Sequence, residues 1–562
     1  MENAEIIRQF ELTIKLLELH GENPFKIRGY QGAVAALEKT AEPLASLPPD
    51  QLSQIEGIGK GIVEKIRLLG TQGMFPELHE LLQKTPAGVV EMLEIPGLGP
   101  KKAHTLWKEL GIKTTEGLLL ACEQNRVAAT KGFGEKTQEN IRQALLFRLS
   151  AGNKLRCDEA ETAADYLLQT LREMGLQATL TGQMARHTEI VNQIQLVVST
   201  NQPVQTHRQL GRIEKLRADG KNSGPFAWRG HLDGVPVAVE ILLVSPGTFT
   251  GQVFVHSAAA AHLRRTTESG HTLLQTALSE THTDDAQIYV KAGLPYILPE
   301  MREGASEFDW AQKHRIEEII TFQDLKGILH NHSTYSDGKH TLEEMAVYCQ
   351  SMGYAYFGIS DHSKSAFYAN GLHEDRVRQQ HAEIDALNRQ LAPFKIFKGI
   401  ESDILNDGSL DYANDVLQTF DFIVASIHSN LKMDEAKATQ RLITAIENPY
   451  TTILGHPTGR LLLRREGYPI DHRKVIDACA ANGVVIEINA SPWRLDLDWR
   501  WLPYAMEKGV RISINPDAHE KAGLHDMVYG THVARKGGLT KVLTFNALTA
   551  TEMAAYFGSR KK

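Results

Sequence analysis

A chain of 562 residues exceeds what one hydrophobic core holds, and 42% apolar with 23% charged residues is ordinary for folded, water-soluble protein. No run of about 18 apolar residues marks a membrane span, and the acidic, amphipathic start "MENAEIIRQFELTIKLLELHG" lacks the pattern of a secretory leader. A net charge of −7 argues against bulk attraction to nucleic acid and leaves room for a local binding face.

Residues 1–150 read as short helices broken by glycine turns. Three segments share one form: "IEGIGKGIVEKI" (55–66), "IPGLGPKKAHTL" (95–106) and "TKGFGEKTQENI" (130–141). Each runs from an apolar residue through G-x-G into a helix. Gly57, Gly59, Gly97, Gly99, Gly132 and Gly134 permit tight turns, after which helix N–H groups point outward. That arrangement suits a DNA phosphate gripped without reading sequence, with Lys60, Lys101, Lys102 and Lys136 adding charge.

Residues 151–315 open with the helical "DEAETAADYLLQTLREMG" and continue in strand-like pieces. In "VNQIQLVV" (191–198), Gln193 and Gln195 alternate with Ile194 and Leu196, the period of a strand with one apolar face. The polar stretch "SEFDWAQKHRIEEIITFQDL" reads as a helix marking the next boundary.

Residues 316–562 alternate apolar strands with helices, an α/β pattern. The strands are "KGILHNH", "YFGISDH", "FKIFKGIES", "DFIVASIHS", "TTILGHP", "VVIEINA" and "RISINPDAH". Six end in His, Asp or Glu and one in Asn489, the layout of a barrel active site. The candidate ligands are His330, His332, Asp337, His362, Glu401, His428, His456, Asp517 and His519. Imidazole with carboxylate suits Zn²⁺, Mn²⁺ or Fe rather than Ca²⁺ or Mg²⁺ alone. Nine ligands exceed one ion's needs, so two or three divalent ions, bridged by Glu401, fit the count better. Clustered ions activate water and neutralise phosphate oxygens, which makes the five residues His330, His332, Glu401, His428 and Asp517 the catalytic candidates. Arg460, Arg464 and Arg494 are placed to grip flanking phosphates. The four cysteines, widely spaced and without CxxC, fit buried thiols of a reducing cytoplasm.

These features resemble known families. The glycine segments resemble helix-hairpin-helix motifs, and "NPFKIRGYQGAVAALE" with the first of them resembles the small N-terminal domain of X-family DNA polymerases. Some members use a lysine there for Schiff-base lyase chemistry, and Lys65 falls at the matching place. "LHNHSTYSDG", "ISDHS", "KGIESDILNDGSLDY", "SIHS", "GHPTGR", "IEINA" and "PDAH" resemble the PHP (polymerase and histidinol phosphatase) domain, a distorted seven-stranded barrel that hydrolyses phosphate esters. That resemblance divides the ligands as His330, His332, Glu401 and Asp517; Glu401, His428 and His456; and Asp337, His362 and His519.

Hairpins followed by a PHP domain resemble the bacterial and archaeal PolX proteins, in which an X-type polymerase core lies between; "AGLPYILPEMREGASEF" matches that family's thumb. The implied architecture is multidomain α+β and α/β. A small helical domain (1–85) and a fingers-like hairpin domain (86–150) precede a palm (151–245), a thumb (246–315) and the (β/α)7 PHP barrel (316–562). The resemblance places paired aspartates where this chain has Gln193 and Gln195, with Glu240 for the third carboxylate and "GQMAR" for G-S-x-R-R. An amide has no anionic oxygen to offset a dication, so the palm is expected to fold without polymerising. The expected activity is a metal-dependent 3′→5′ exonuclease or phosphoesterase acting on gapped, nicked or 3′-ended DNA. An active gap-filling polymerase, a DNA-binding scaffold with structural metals, and a small-molecule phosphatase are the alternatives.

Overall fold

Three glycine turns organise the first of two units, residues 1–152 and 153–562, in a computed structural model that describes residues 3–38, 40, 42–267 and 270–560. The opening helix, Asn3–Leu19, buries Ile6, Phe10, Thr13 and Leu17, one face at helical spacing. Helices Lys60–Gln72, Pro100–Lys108 and Glu135–Ala151 each begin directly after a G-x-G turn. In every turn the first glycine is left-handed, with φ of 93° at Gly57, 82° at Gly97 and 88° at Gly132. A side chain is disfavoured in that conformation.

The second unit starts with a palm-like sheet. Its strands are β1 (Leu155–Arg156), β2 (Gln177–Thr181), β3 (Ile190–Val191), β4 (Gln193–Ser199), β5 (Leu216–Ala218), β6 (Ala227–Leu232) and β7 (Ala238–Val244). Five of them form a sheet in the order β2-β4-β7-β6-β5, in which only β4 and β7 run parallel. Helix Cys157–Glu173 lays Ala160, Ala164, Leu167 and Leu171 against this core. Helices between residues 249 and 313 then gather around Phe254, Leu273, Ile288 and Tyr289.

The rest of the chain forms seven parallel strands: β8 (Gly327–Ile328), β9 (Tyr356–Ile359), β10 (Lys395–Asp403), β11 (Phe422–Ser426), β12 (Ile453–Leu454), β13 (Val485–Asn489) and β14 (Ile512–Asn515). Strands with every residue buried match a sheet covered on both faces. The ring is nearly closed: β8 and β14 meet through side chains rather than a full ladder. Asn546 Nδ2 donates to Gly327 O at 3.1 Å and to Ile514 O at 2.6 Å, and Asn546 Oδ1 accepts from Ile514 N at 3.1 Å. Asn515 Oδ1 accepts from Leu329 N at 3.2 Å, and Asn331 bridges Ala518. Phe545, Met553 and Phe557 pack on Phe397 and Phe422 to fill the floor. The Phe422 ring leaves no room on its neighbours: a Cβ at Gly399 would lie 2.2 Å from it, and one at Gly358, 2.7 Å.

One expected element differs. The stretch 306–325 is not a single polar helix: helix Glu307–Lys313 gives way to 3-10 turns at Ile316–Glu318 and Phe322–Asp324. Tertiary bonds draw it inward, with Trp310 Nε1 donating to Gly538 O at 2.8 Å and Ile320 N to Leu539 O at 3.0 Å. Burial of Ile319 and Ile320 outweighs the helical pattern of the charges.

The closing asparagine gives a stability test. Asn546→Ala strands three buried backbone groups, and each unpaired group costs about 1–3 kcal/mol. The barrel's urea transition should fall by about 3 kcal/mol or more, whereas Val542→Ala, at an 82% exposed position, should leave it in place.

Candidate metal centre

The seven strands end around one mouth, and Glu401, near the end of β10, lies at its centre, 1% exposed. Its carboxylate approaches five imidazoles: His330 at 3.3 Å, His332 at 3.7 Å, His362 at 2.9 Å, His428 at 3.1 Å and His456 at 3.0 Å. Asp517 adds contacts of 3.5 Å to His330 and 3.0 Å to His332. Asp337 lies 3.4 Å from His519 and 3.7 Å from His362. All nine candidate ligands therefore meet. The ladders stop short of the residues that carry most of them, because the backbone turns there: His456 has φ 21° and Asp517 has φ 55°. A non-glycine residue held so costs of order 1–3 kcal/mol, the kind of strain that clusters at functional sites.

Ligand atoms close enough to share an ion fall into three overlapping groups: His332, Asp337, His362 and His519; His330, His332 and Asp517; and His362, Glu401 and His428. Among the described residues this differs from the expected division: His332 and His362, rather than Glu401, each serve two groups, and His456 falls in none. Sequence order cannot show such sharing, since it depends on which ring nitrogen faces which neighbour.

A second layer, which sequence reasoning missed, orients these ligands. Glu487 contacts His330 Nδ1 at 2.7 Å and accepts from His456 N at 2.8 Å. Asp403 contacts His428 Nδ1 at 2.5 Å, and Asn489 Nδ2 donates to Asp517 at 3.0 Å. Asp361 accepts from Ser333 N at 2.7 Å, Ser336 Oγ at 2.5 Å and Gln380 Nε2 at 2.7 Å, which pins the loop carrying Asp337. Such partners fix tautomer and ring direction. The signal available was spacing: Asp403 is two residues beyond Glu401 on one strand, and Asp361 directly precedes His362.

Charge is balanced within the cluster. Burial pulls His428 down, but Glu401 and a hydrogen bond to Asp403 outweigh it and lift the imidazole to about 10. Burial likewise opposes His519, yet Asp337 and Asp517 raise it to about 9. Burial and the neighbouring His519 and His362 push His332 down to about 3. Burial opposes ionisation of Glu401, and the surrounding imidazoles still hold it well below the usual carboxylate range. His330 Nε2, His332 Nδ1, His362 Nδ1, His456 Nδ1 and Glu401 Oε2 are buried without a hydrogen bond. Buried polar atoms that crowd together yet stay unpaired are costly, and divalent cations would satisfy them, so the donor set fits the implied metals.

Elsewhere the expected residues have other partners. Gln195 sits opposite Glu240 and donates to its Oε2 at 2.8 Å, while Arg229 Nε donates to Oε1 at 2.6 Å. Gln193 lies on the same strand, and Gln183 bonds the backbone of its own turn, accepting from Asn192 N at 2.8 Å. Lys65 is 25% exposed, 3.5 Å from Glu77 and over the Tyr30 and Phe75 rings. The paired glycines are exposed around buried Ile58 and Leu98 and half-buried Phe133, and Gly59, Gly99 and Gly134 cap their helices without a side-chain bond. Lys60, Lys101 and Lys136 are exposed beside them, and Lys102 lies over Phe133 at 5.8 Å. Arg460 departs from expectation. Its guanidinium is bound to Asp498 at 2.8 Å and to the carbonyls of Arg494 and Leu495, which leaves it a structural clamp rather than a free phosphate donor. Arg464 is exposed, and Arg494 lies 3.5 Å from Asp517 at the mouth.

Comparisons with known proteins agree with this layout. Residues 1–73 match the helix-hairpin-helix domain family, 89–145 a SAM-like helix-hairpin-helix tandem, and 329–491 the PHP domain. The chain is 36% identical, over 99% of both lengths, to the "DNA polymerase/3'-5' exonuclease PolX" of Bacillus subtilis. A "probable phosphatase" of Acetivibrio thermocellus is 28% identical over 36% of this chain and 83% of its own length. One of Caldicellulosiruptor bescii is 30% identical over 33% and 75%. With helix-hairpin-helix repeats at one end, a PHP barrel at the other and a relative matched along nearly its whole length, the chain belongs to the PolX family.

Proposed function

We propose that this chain is a metal-dependent 3′→5′ exonuclease and phosphoesterase acting on DNA through its barrel, and that its palm has lost polymerase activity. The gathering of nine candidate ligands, five of them imidazoles around buried Glu401, carries the first half of this reading. When bound by these side chains, divalent ions, Mn²⁺ or Zn²⁺ by donor type, would supply an activated water and neutralise phosphate oxygens. Glu401 would be among the residues holding these ions, His330 and His428 are fixed by Glu487 and Asp403, and Arg494 stands at the mouth to receive a non-bridging phosphate oxygen. The three glycine-capped helices hold the DNA backbone by their N–H groups. Lys65, packed on aromatic rings beside Glu77, is the lysine that would act in any lyase step.

The ion pair between Arg229 and Glu240 supports the second half. Where a polymerase palm gathers three carboxylates around two cations, this one has a single carboxylate already satisfied by a guanidinium and an amide. A dication entering there would meet a fixed positive charge instead of anionic oxygens. The name of the Bacillus relative favours the second reading, an active gap-filling polymerase.

Asp517→Ala and His428→Ala should each slow Mn²⁺-dependent 3′-end degradation about 100-fold or more while leaving affinity for gapped DNA unchanged. Undiminished degradation would assign the barrel metals a structural role. On gapped DNA with Mg²⁺ or Mn²⁺, the His428→Ala variant should incorporate no nucleotide; template-directed extension would establish an active palm. Metal affinity should depend on pH. The raised His428 and His519 keep their protons at neutral pH in the metal-free site, and binding must expel them. Mn²⁺ affinity, measured against a competing chelator, should therefore climb between about pH 6 and 8, by about tenfold per unit for each proton released.

A further inference from the structure

The loop after His362 inverts the usual order of burial. Its small residues Ala366 and Ala369 are 0% and 1% exposed, while Phe367 and Tyr368 between them are 85% and 69% exposed. Large adjacent rings left in water on a well-anchored loop are unusual, whereas single exposed apolar residues are not. The loop is fixed at both ends: Leu372 N donates to His362 O at 2.8 Å, Gly371 N to Ala366 O at 3.1 Å, and Ser365 Oγ to Asp403 at 3.0 Å. Gly371 is needed for this closure, since a Cβ there would lie 2.0 Å from Ser363 O. The rings thus cannot fold back into the core without breaking these bonds.

Their position suggests what they do. The Tyr368 ring centroid is 6.2 Å from that of His362, a candidate ligand. Both rings wall an open cleft of about 630 Å³ that also takes in Asp403, which orients His428, and Ser429, which follows it. That volume falls in the usual range of about 300–1,000 Å³ for small-ligand sites. Its far rim carries the amides of Asn406 and Asn430, joined at 2.8 Å. The cleft thus adjoins the metal cluster, within reach of the base of a nucleotide whose phosphate is held there. Aromatic faces stack on any base without selecting sequence.

We infer that Phe367 and Tyr368 form a stacking platform for the base of the nucleotide whose phosphate lies at the metal cluster. This rests on the exonuclease reading above. Both are positioning residues: they hold the strand and take no part in bond breaking.

The test uses the full chain with Mn²⁺ and two 5′-labelled single-stranded oligonucleotides, one natural and one whose last nucleotides are abasic. The wild type should favour the natural end by about tenfold in kcat/KM, mainly through KM. Phe367→Ala with Tyr368→Ala should bring that ratio to about one while sparing the abasic substrate, which also reports intact folding. Tyr368→Phe, which keeps the ring, should keep the ratio. Independently of turnover, an oligonucleotide ending in 5-iodouracil, irradiated in chelator, should cross-link to the peptide holding Phe367 and Tyr368. An unchanged ratio in the double variant, or cross-linking elsewhere, overturns the platform alone. A wild type that degrades neither substrate overturns the exonuclease reading and the platform with it.

Discussion

The barrel is organised around one buried carboxylate that touches five imidazoles. Glu401 cannot be neutralised by solvent, so the strands must deliver positive or polarisable groups to it from several directions. That need explains the outer layer. Glu487, Asp403 and Asn489 turn each ligand toward the centre, and Asn546 and Asn515 hold the first and last strands in register so that His330 and Asp517 meet. A slip of either end strand by one residue would turn these side chains away.

What could be read from the residues follows from periodicity and punctuation. The G-x-G turns were legible because their first residue is left-handed, which favours glycine, and a helix starts directly after the second. The seven strands were legible as short apolar runs each closing on a polar residue. The strand ends were not, because the ladders break before the ligands, where tertiary bonds rather than propensity set the backbone. The helix expected over 306–325 failed for a related reason: burial of Ile319 and Ile320 against the barrel overrode a helical charge pattern. Arg460 read as a surface cation because nothing local reveals Asp498, 38 residues away.

The palm-like sheet illustrates how strand register chooses a side chain's partners. The β4–β7 register sets Gln195 against Glu240, the apolar faces of both strands are buried, and Gly182 makes room, since a Cβ there would lie 2.2 Å from the Gln195 amide oxygen. The Gln195 amide and the Arg229 guanidinium each donate to one oxygen of the Glu240 carboxylate. The sheet keeps a mechanical role, because its helix meets the barrel. Tyr529 donates to Glu161 at 2.9 Å, and buried Lys536 reaches Arg186 O at 3.0 Å.

The seam closed by Asn546 also sets an order of events during synthesis. His330 and Asp517 are separated by most of the barrel's chain, and Phe545 and Phe557, which fill its floor, come later still. A nascent chain emerges from its N-terminal side, and units fold as they become complete. The hairpin unit is therefore free to fold while the barrel is still an open ribbon with its ligands apart. The metal cluster is complete only once the last helix has docked, so that an unfinished or truncated chain would carry most of its ligands without bringing them together.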